Sequence, residues 1–288
     1  MRRPRPPTRT ARTLALPEAA LVTRRAVTYA SYLGLDQLLS AQEPLSVGED
    51  GRPEHDELLF IVIHQVYELW FKQLIHELTE VQRTLQAGDT DTTLHLLNRV
   101  LKILKTLVAQ IDVLETMTPL QFTSFRDRLE SASGFQSAQF RELEAVLGRR
   151  DPAAPRGHPE GSTGRARIEA AQSRRSLWGS FLAYLAARGH ALAEGALARD
   201  VSLPPEPDSD VQDVLVAVYR GDADAALVAE RLVDLDEGFQ EWRYRHVKMV
   251  ERTIGTKEGT GGSAGVEYLR TTLFQPTFPD LWAIRSRL

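Results

Sequence analysis

The chain has 288 residues and no cysteine, and its 35 lysines and arginines against 39 aspartates and glutamates give a formal net charge of −4. The absence of cysteine excludes disulfides, thiolate nucleophiles and cysteine-held iron–sulfur clusters. The small net charge gives no indication of a nucleic-acid-binding surface. No apolar run reaches the roughly 18–20 residues that a membrane-spanning helix needs, so we expect a cytoplasmic protein with no membrane segment.

The N-terminal sequence MRRPRPPTRTARTLALP is basic and interrupted by proline, and no hydrophobic core of a signal peptide follows it. This composition predicts a disordered arm over residues 1–17. We expect residues 18–288 to form a single domain, because helical patterns continue through them with one low-complexity interruption. That interruption, at residues 148–165, is predicted to be a flexible loop, and it leaves a helical insertion or a small second lobe as an alternative.

Helical patterns dominate the first part of this domain. Residues 18–46 predict one or two short helices. The sequence HDELLFIVIHQVYELWFKQLIHEL, from His55 to Leu78, has apolar residues on two faces and neither proline nor glycine. Such a helix is typical of the buried centre of a bundle. The turn AGDTD then precedes an unbroken apolar stripe, which predicts a second long helix over residues 92–114.

A shorter helix is predicted to start at Thr118-Pro119, where proline occupies the first turn and its missing N–H costs nothing. It carries Phe122 and Arg126 one turn apart and ends at the sequence SASG of residues 131–134. The sequence GFQSAQFRELEAVLG then continues as a helix to a glycine stop.

Helical patterns resume after the predicted loop, over residues 166–188, 211–219 and 222–254. A glycine-rich loop occupies residues 256–265, and short helical pieces follow it to the C-terminus. The sequence contains no convincing strand pattern and no internal repeat. The predicted fold class is therefore all-α, a bundle of long helices.

Two histidines lie on apolar helix faces. His64 follows Phe60 by one turn, so both side chains point the same way from a buried helix. His246 lies on a stripe that includes Trp242 and is fringed by the cations Arg243, Arg245, Lys248 and Arg252. An imidazole with nearby cations suits a haem iron ligand, since the cations can meet the propionates. From spacing alone, a core histidine whose nitrogens are satisfied by neighbours remains open for both.

Other signals of chemistry are weaker. Arg126 is a natural carboxylate clamp, because a guanidinium bonds a carboxylate bidentately, but an ordinary surface arginine fits the same pattern. The loop GTGGS, residues 259–263, is either an anion-binding loop or a simple connector. The sequence has neither HExxH nor the paired ExxH of di-iron bundles, which disfavours a zinc protease or a ferritin-like centre.

Long motifs resemble the tryptophan 2,3-dioxygenase family. They are HDELLFIVIHQVYELWFKQLIHEL, LETMTPLQFTSFRDRLESASGFQSAQFRELE and FQEWRYRHVKMVERTIGTKEGTGGSAGVEYLRTT, with TYASYLGLDQLLSAQ before them and FPDLWAIR after them. The likeness covers roughly residues 27–288 and is interrupted mainly around residues 148–165. It implies a homotetrameric enzyme with one haem b per subunit in a buried pocket. The implied reaction opens the indole C2–C3 bond of L-tryptophan with O₂ to give N-formylkynurenine.

The resemblance also implies roles for individual residues. His246 matches the proximal iron ligand, and His64 matches the distal histidine that accepts a hydrogen bond from the indole N–H. Phe60 would form a wall of the indole pocket. Arg126 would bind the substrate carboxylate, and Phe122 would lie beside Arg126. The remaining matches are Ser133 near the haem edge, Thr260 on the substrate's ammonium and carboxylate, and Tyr29, Tyr32 and Leu33 completing the neighbouring subunit's pocket.

Two departures from the family pattern leave alternatives open. Ala30 and Ser31 stand in YASYL where the family usually has YGxYL, and Val66 stands where threonine or alanine is usual. A related enzyme that inserts one oxygen atom into a modified tryptophan or an indole is therefore an alternative hypothesis. A haem-binding or helical scaffold without catalysis is a third, and it requires every matched site residue to be idle.

Overall fold

The computed structural model describes residues 26–129, 134–257 and 266–288. These residues form an all-α protein without a β-strand, and Val47 and Pro53 make one isolated bridge. The α-helices, in chain order, are α1 Tyr29–Leu33, α2 Leu35–Leu39, α3 His55–Ala87, α4 Thr90–Leu114, α5 Pro119–Arg126, α6 Ala138–Leu147, α7 Thr163–Gln172, α8 Leu177–Ala187, α9 Glu194–Leu197, α10 Ser209–Gly221, α11 Ala223–Ile254, α12 Val266–Thr271 and α13 Pro279–Ala283.

The described part of the chain divides into a small N-terminal unit that ends at Ala41 and a larger unit, Gln42–Leu288. In the small unit, the side chain of Thr28 caps α1, and Gly34 joins α1 to α2 in the left-handed conformation at φ 63°. Only glycine adopts that conformation without a steric cost. The predicted arm of residues 1–17 lies outside the described residues, and a single domain over residues 18–288 stays a prediction.

The core of the larger unit is built on three long helices. Helix α4 packs between α3 and α11, and α6 and α8 pack against α3. One face of α4 is buried from Leu96 to Leu114, and Leu94 and Leu101 at its side are half-buried. Burying each such side chain stabilises the fold by about 1.5–3 kcal/mol. The two predicted long helices in the first half of the chain are thus confirmed.

Helices α4 and α11 approach each other closely at a glycine. A Cβ atom built on Gly238 would lie 2.8 Å from Cδ2 of Leu104. That separation is shorter than van der Waals contact allows, so a larger residue here would push the two helices apart or force Leu104 to another rotamer. Gly238 therefore lets α11 lie against α4 two turns before His246.

The C-terminal segment is fixed to α11 by one buried carboxylate. Asp236 accepts hydrogen bonds from the backbone N–H groups of Thr277 and Phe278, and from the indole N–H of Trp282 at 2.9 Å. A buried carboxylate must be hydrogen-bonded to offset its lost hydration. Asp236 therefore holds the end of the chain against the middle of α11.

Two local differences from the sequence prediction have clear causes. The helix expected over residues 166–188 is divided into α7 and α8, because Ser173 ends the first and the Ser176 hydroxyl accepts from the backbone N–H of Gly179 to cap the second. The segment 148–165, expected to be a flexible loop, includes a 3₁₀ turn at Ala154–Gly157 and the start of α7. Within this segment, the buried Arg150 guanidinium donates to the carbonyl oxygens of Ala171 and Arg174, which ties the segment to the end of α7.

Helix α3 is long and apolar enough to cross a membrane by length and composition alone. That criterion is weak evidence, since the central helix of a soluble bundle meets it too. Here α4, α6 and α8 pack against α3, and its Glu77 carboxylate is buried and paired with Arg99 at 3.0 Å. One face of α3 thus lies in the core of the bundle. Val62 and Leu69 are 38% and 49% exposed, so the expectation that the apolar residues of both faces are buried is wrong at these positions within this chain.

Candidate functional site

A large cavity opens between α3, α5, α6, α11 and α12. The space not filled by atoms amounts to about 1610 Å³, including the part that opens to solvent. Most of the side chains around it are apolar, and the polar ones gather in a few places. The polar and aromatic lining side chains include Phe60, His64, Tyr67, Glu68, Phe71, Phe122, Arg126, Phe140, Arg141, Glu144, Trp242, Arg243, His246, Tyr268 and Thr272.

His64 faces this cavity in a defined tautomer. Its Nδ1 lies 2.7 Å from the carbonyl oxygen of Phe60, one turn earlier on α3. A carbonyl oxygen only accepts, so Nδ1 carries the proton and Nε2 is left as an acceptor. Burial lowers the pKa of His64 below its usual 6.5, although the Phe60 hydrogen bond and the charge of Glu68 oppose the shift. His64 is therefore a neutral acceptor at neutral pH.

His246 lies on another wall of the same cavity. Its ring stacks on Trp242 with centroids 5.3 Å apart and planes 9° apart. Burial is the main cause that lowers the pKa of His246 to about 4, with a further contribution from His64. Neither ring nitrogen of His246 has a hydrogen-bond partner among the described residues. A neutral imidazole with an unused lone pair on an apolar wall has the properties of a metal ligand.

An aromatic cluster forms the wall beside His64. The centre of the Phe60 ring lies 4.1 Å from the centre of the His64 ring. It lies 5.8 Å from the ring centre of Phe122 and 5.6 Å from that of Phe125. Phe122 comes from α5, whose capping box joins Thr118 and Gln121. Arg126, at the end of α5 and one turn beyond Phe122, also lines the cavity. The capping box thus fixes the start of α5, the helix that carries both Phe122 and Arg126 to the cavity.

A cluster of charges lies at the edge formed by α6, α11 and α12. The Glu144 carboxylate accepts from Arg243 at 2.6 Å and from Arg141 at 2.7 Å, and Arg149 lies 3.9 Å from it. The Arg243 guanidinium also lies 4.7 Å from the centre of the Phe239 ring. Burial, followed by the charge of Arg149, lowers the pKa of Arg243 to about 10. Arg243 is thus charged at neutral pH.

The other cations predicted to surround His246 point elsewhere. Arg245 pairs with Asp112 and Glu115, Lys248 pairs with Glu251, and Arg252 lies 3.5 Å from Glu115. None of the three lines the cavity. The expectation that all four cations could meet propionates is therefore wrong for these three, because helical periodicity places them on the opposite side of α11 from the cavity.

Five of the predicted site residues come together. Phe60, His64, Phe122, Arg126 and His246 line the one cavity, although three different helices carry them. Their individual roles stay predictions.

The other predicted residues belong to the N-terminal unit or lie outside the described residues. Ser133 and Thr260 lie outside the described residues. Tyr29 and Tyr32, in the N-terminal unit, are 78% and 79% exposed, and Leu33 is 44% exposed.

Sequence reasoning missed the charged edge of the cavity. Arg141 and Glu144 are three residues apart on α6, a spacing that ordinary surface ion pairs share. Tyr268 and Thr272 lie at the end of a glycine-rich sequence with no pattern of its own. The only available signal was a set of arginines and one glutamate in otherwise apolar helices, and it does not say which face meets a cavity.

Comparison with known proteins gives the relationship of the chain. The family model described as tryptophan 2,3-dioxygenase matches residues 18–156 and 208–288. The unmatched residues 157–207 contain α7, α8 and α9, which pack outside the cavity lining given above.

Similar proteins cover nearly the whole chain. A protein of Anaeromyxobacter sp. (strain K) is 62% identical over 263 residues, which are 91% of this chain and 97% of that protein. A protein of Herpetosiphon aurantiacus is 56% identical, with 92% and 99% covered, and one of Caulobacter vibrioides is 43% identical, with 91% and 98% covered. Each of the three carries the name tryptophan 2,3-dioxygenase.

Proposed function

This chain belongs to the tryptophan 2,3-dioxygenase family, and we propose that its cavity holds haem b, with His246 as the residue that would bind the iron, and L-tryptophan on the His64 side. The enzyme is an oxidoreductase of tryptophan catabolism. The relatives' names favour insertion of both oxygen atoms into tryptophan, with N-formylkynurenine as the product, over the single-atom alternative. The observation that carries the proposal is the neutral His246 imidazole facing His64 across one apolar cavity.

The residues around His246 fit haem better than a metal ion that is held by protein side chains alone. Among the described residues, no group of three histidine, aspartate or glutamate side chains is placed to hold a metal ion. A metal at His246 would therefore need further ligands that the described residues do not supply, and a porphyrin would supply four nitrogens. The apolar walls suit the macrocycle, and the Arg141 and Arg243 guanidiniums suit its two carboxylates. When bound, the haem supplies oxygen activation.

The chain's own groups would bind and orient the amino acid. Arg126 would pair with the substrate carboxylate bidentately, which fixes orientation as well as affinity. The His64 Nε2, left as an acceptor by the Nδ1–Phe60 hydrogen bond, would accept the indole N–H. Phe60 and Phe122 would contact the faces or edges of the indole ring. These contacts place the C2–C3 bond at a fixed position in a site from which the aromatic cluster excludes water.

Other parts of the proposal concern residues outside the described ranges and residues of the N-terminal unit. Thr260 would contact the ammonium and carboxylate of the substrate from the glycine-rich loop, and Ser133 would lie near the haem edge. Tyr29, Tyr32 and Leu33 would complete the pocket of a neighbouring subunit in a homotetramer, which is supported by the exposure of these large side chains. We also propose a cytoplasmic location, since α3 has the contacts of a bundle helix.

Replacing His246 tests the cofactor assignment. We expect His246→Ala protein to lose stable haem loading, or to lose the five-coordinate histidine spectrum of the ferrous state, because the other described histidine on this cavity serves the substrate side. Haem titration followed by absorption and resonance Raman spectra measures both. His76→Ala, an exposed histidine of α3, is the matched control and should load haem normally. A wild-type spectrum in His246→Ala would overturn the assignment.

A further inference from the structure

Glu144 lies at the cavity edge, and none of the binding roles proposed above involves it. Its carboxylate lies on the cavity edge and is 13% exposed, with Arg243 at 2.6 Å on one oxygen and Arg141 at 2.7 Å on the other. Both arginines line the cavity. Arg243 comes from α11, three residues before His246, and Arg141 comes from α6, one turn before Glu144. One carboxylate thus joins two guanidiniums from two helices at the same edge.

The charges at this edge do not balance. Arg149 is a third guanidinium within 3.9 Å of Glu144, and its charge and that of Arg141 help to lower the pKa of Arg243. Asp236 attracts Arg149 and Arg243 at longer range, but its oxygens are used by Thr277, Phe278 and Trp282. Like charges this close repel unless a counter-charge lies between them. Glu144 is the counter-charge in direct contact with Arg141 and Arg243, whereas Asp151 acts on Arg141 only at longer range.

We propose that Glu144 is a positioning residue, which holds Arg141 and Arg243 toward the cavity and sets the charge that the carboxylates of the cofactor meet there. This inference rests on the proposed haem binding. Glu144 itself contacts neither substrate nor reacting atoms, and it acts through the two arginines. The negative charge of Glu144 favours the ferric state of the iron over the ferrous state, because the ferric state carries one more positive charge.

A purely structural role for Glu144 makes a different prediction, and the same helix provides the comparison. Glu142, two residues earlier on α6, is also buried and pairs with Arg167 at 2.7 Å. It does not line the cavity. If buried ion pairs on α6 matter only for stability, Glu142→Gln and Glu144→Gln should behave alike. If Glu144 acts on the cofactor, the two variants should differ in a property of the iron.

The test is the reduction potential of the haem-loaded protein, measured by spectroelectrochemistry with a melting curve for each variant. Glu144→Gln keeps the shape and removes the charge, so its potential should shift upward from that of the wild type. Glu142→Gln should keep the wild-type potential even where its melting temperature falls. Glu144→Asp, which keeps the charge, should return the potential toward the wild-type value.

A second variant keeps the test usable if Glu144→Gln does not fold. Arg141→Gln removes a positive charge from the same edge, and its potential should shift downward. The double variant Arg141→Gln with Glu144→Gln should lie between the two single variants. An unchanged potential in Arg141→Gln and in any folded Glu144→Gln protein would overturn the positioning role, as would an equal shift in Glu142→Gln. Failure of the wild type to bind haem through an imidazole would instead overturn the proposed function.

Discussion

The backbone carbonyl of Phe60 decides what His64 can do. Because this oxygen accepts the Nδ1 proton at 2.7 Å, the other ring nitrogen is left to accept a hydrogen bond from a ligand. The spacing of the two residues predicted that they share a helix face, and the ring distance of 4.1 Å agrees. The tautomer was not predictable from the sequence, since it depends on a rotamer that packing selects.

Replacing Arg126 tests how the protein binds its substrate. We expect Arg126→Ala to raise KM for L-tryptophan by orders of magnitude, since breaking a desolvated charge pair costs about 2–5 kcal/mol. Bare indoles such as 3-methylindole lack the carboxylate, so their turnover should change little. Steady-state kinetics with both substrates make the measurement.

Arg128 serves as the control for that substitution. It lies two residues later, is exposed and does not line the cavity. Arg128→Ala should therefore keep the wild-type KM. An unchanged preference of Arg126→Ala for tryptophan over 3-methylindole would contradict the carboxylate role.

At the scale of elements, helical periodicity predicted the long helices well and their tertiary faces poorly. Helix α11 was expected from residue 222 to residue 254 and runs over Ala223–Ile254, with Asp222 as its N-cap. The division between α7 and α8 was missed, because serine and arginine also occur inside helices and only the Ser176 cap reveals the break. The side of α11 that faces Glu144 was not predictable, since it depends on where α6 lies.

Asp222 joins the start of α11 to the end of α8 and makes stability depend on pH. It accepts two hydrogen bonds from Arg188, each 2.7 Å long, and one from His190. The hydrogen bonds of Arg188, the largest cause, hold the pKa of Asp222 well below its usual value. A depressed carboxyl pKa gives stability that is fully present above the unfolded-state pKa of about 4 and is lost as the pH falls below it.

Replacing Asp222 with asparagine keeps a side-chain cap and removes the charge. We expect Asp222→Asn to lower the free energy of unfolding at pH 7 by about 1–2 kcal/mol, between the values for exposed ion pairs and for charged hydrogen bonds. The deficit should shrink as the pH falls below about 4, because Asp222 of the unfolded wild type then binds a proton that the folded protein, with its depressed pKa, does not bind. Urea unfolding at several pH values measures it. Asp224 is exposed and lies 3.7 Å from the same Arg188 without a hydrogen bond to it, so Asp224→Asn should have a clearly smaller effect. A pH-independent deficit in Asp222→Asn would contradict the role of the Asp222 charge.

At the scale of the whole molecule, the site exists only because separate helices enclose one cavity. Composition and periodicity predicted an all-α bundle, and they placed two histidines on apolar faces. They did not predict that α3, α5, α6, α11 and α12 meet around the same space, because periodicity says which face is buried and not against what. The family resemblance of the long motifs predicted that His64, Arg126 and His246 share one site. The charged edge at Glu144 is visible only in the structure.

The fate of the oxygen atoms is the sharpest test of the proposed function. The anaerobically reduced, haem-loaded protein should be mixed with free L-tryptophan and ¹⁸O₂, and the mass of the product read. We expect a ring-opened product, N-formylkynurenine, with two labelled atoms, because the similar proteins carry the name of a dioxygenase and the proposed contacts of Arg126 and His64 would orient free L-tryptophan. A single labelled atom in an intact oxindole, or reaction only with an alkylated tryptophan, would contradict it.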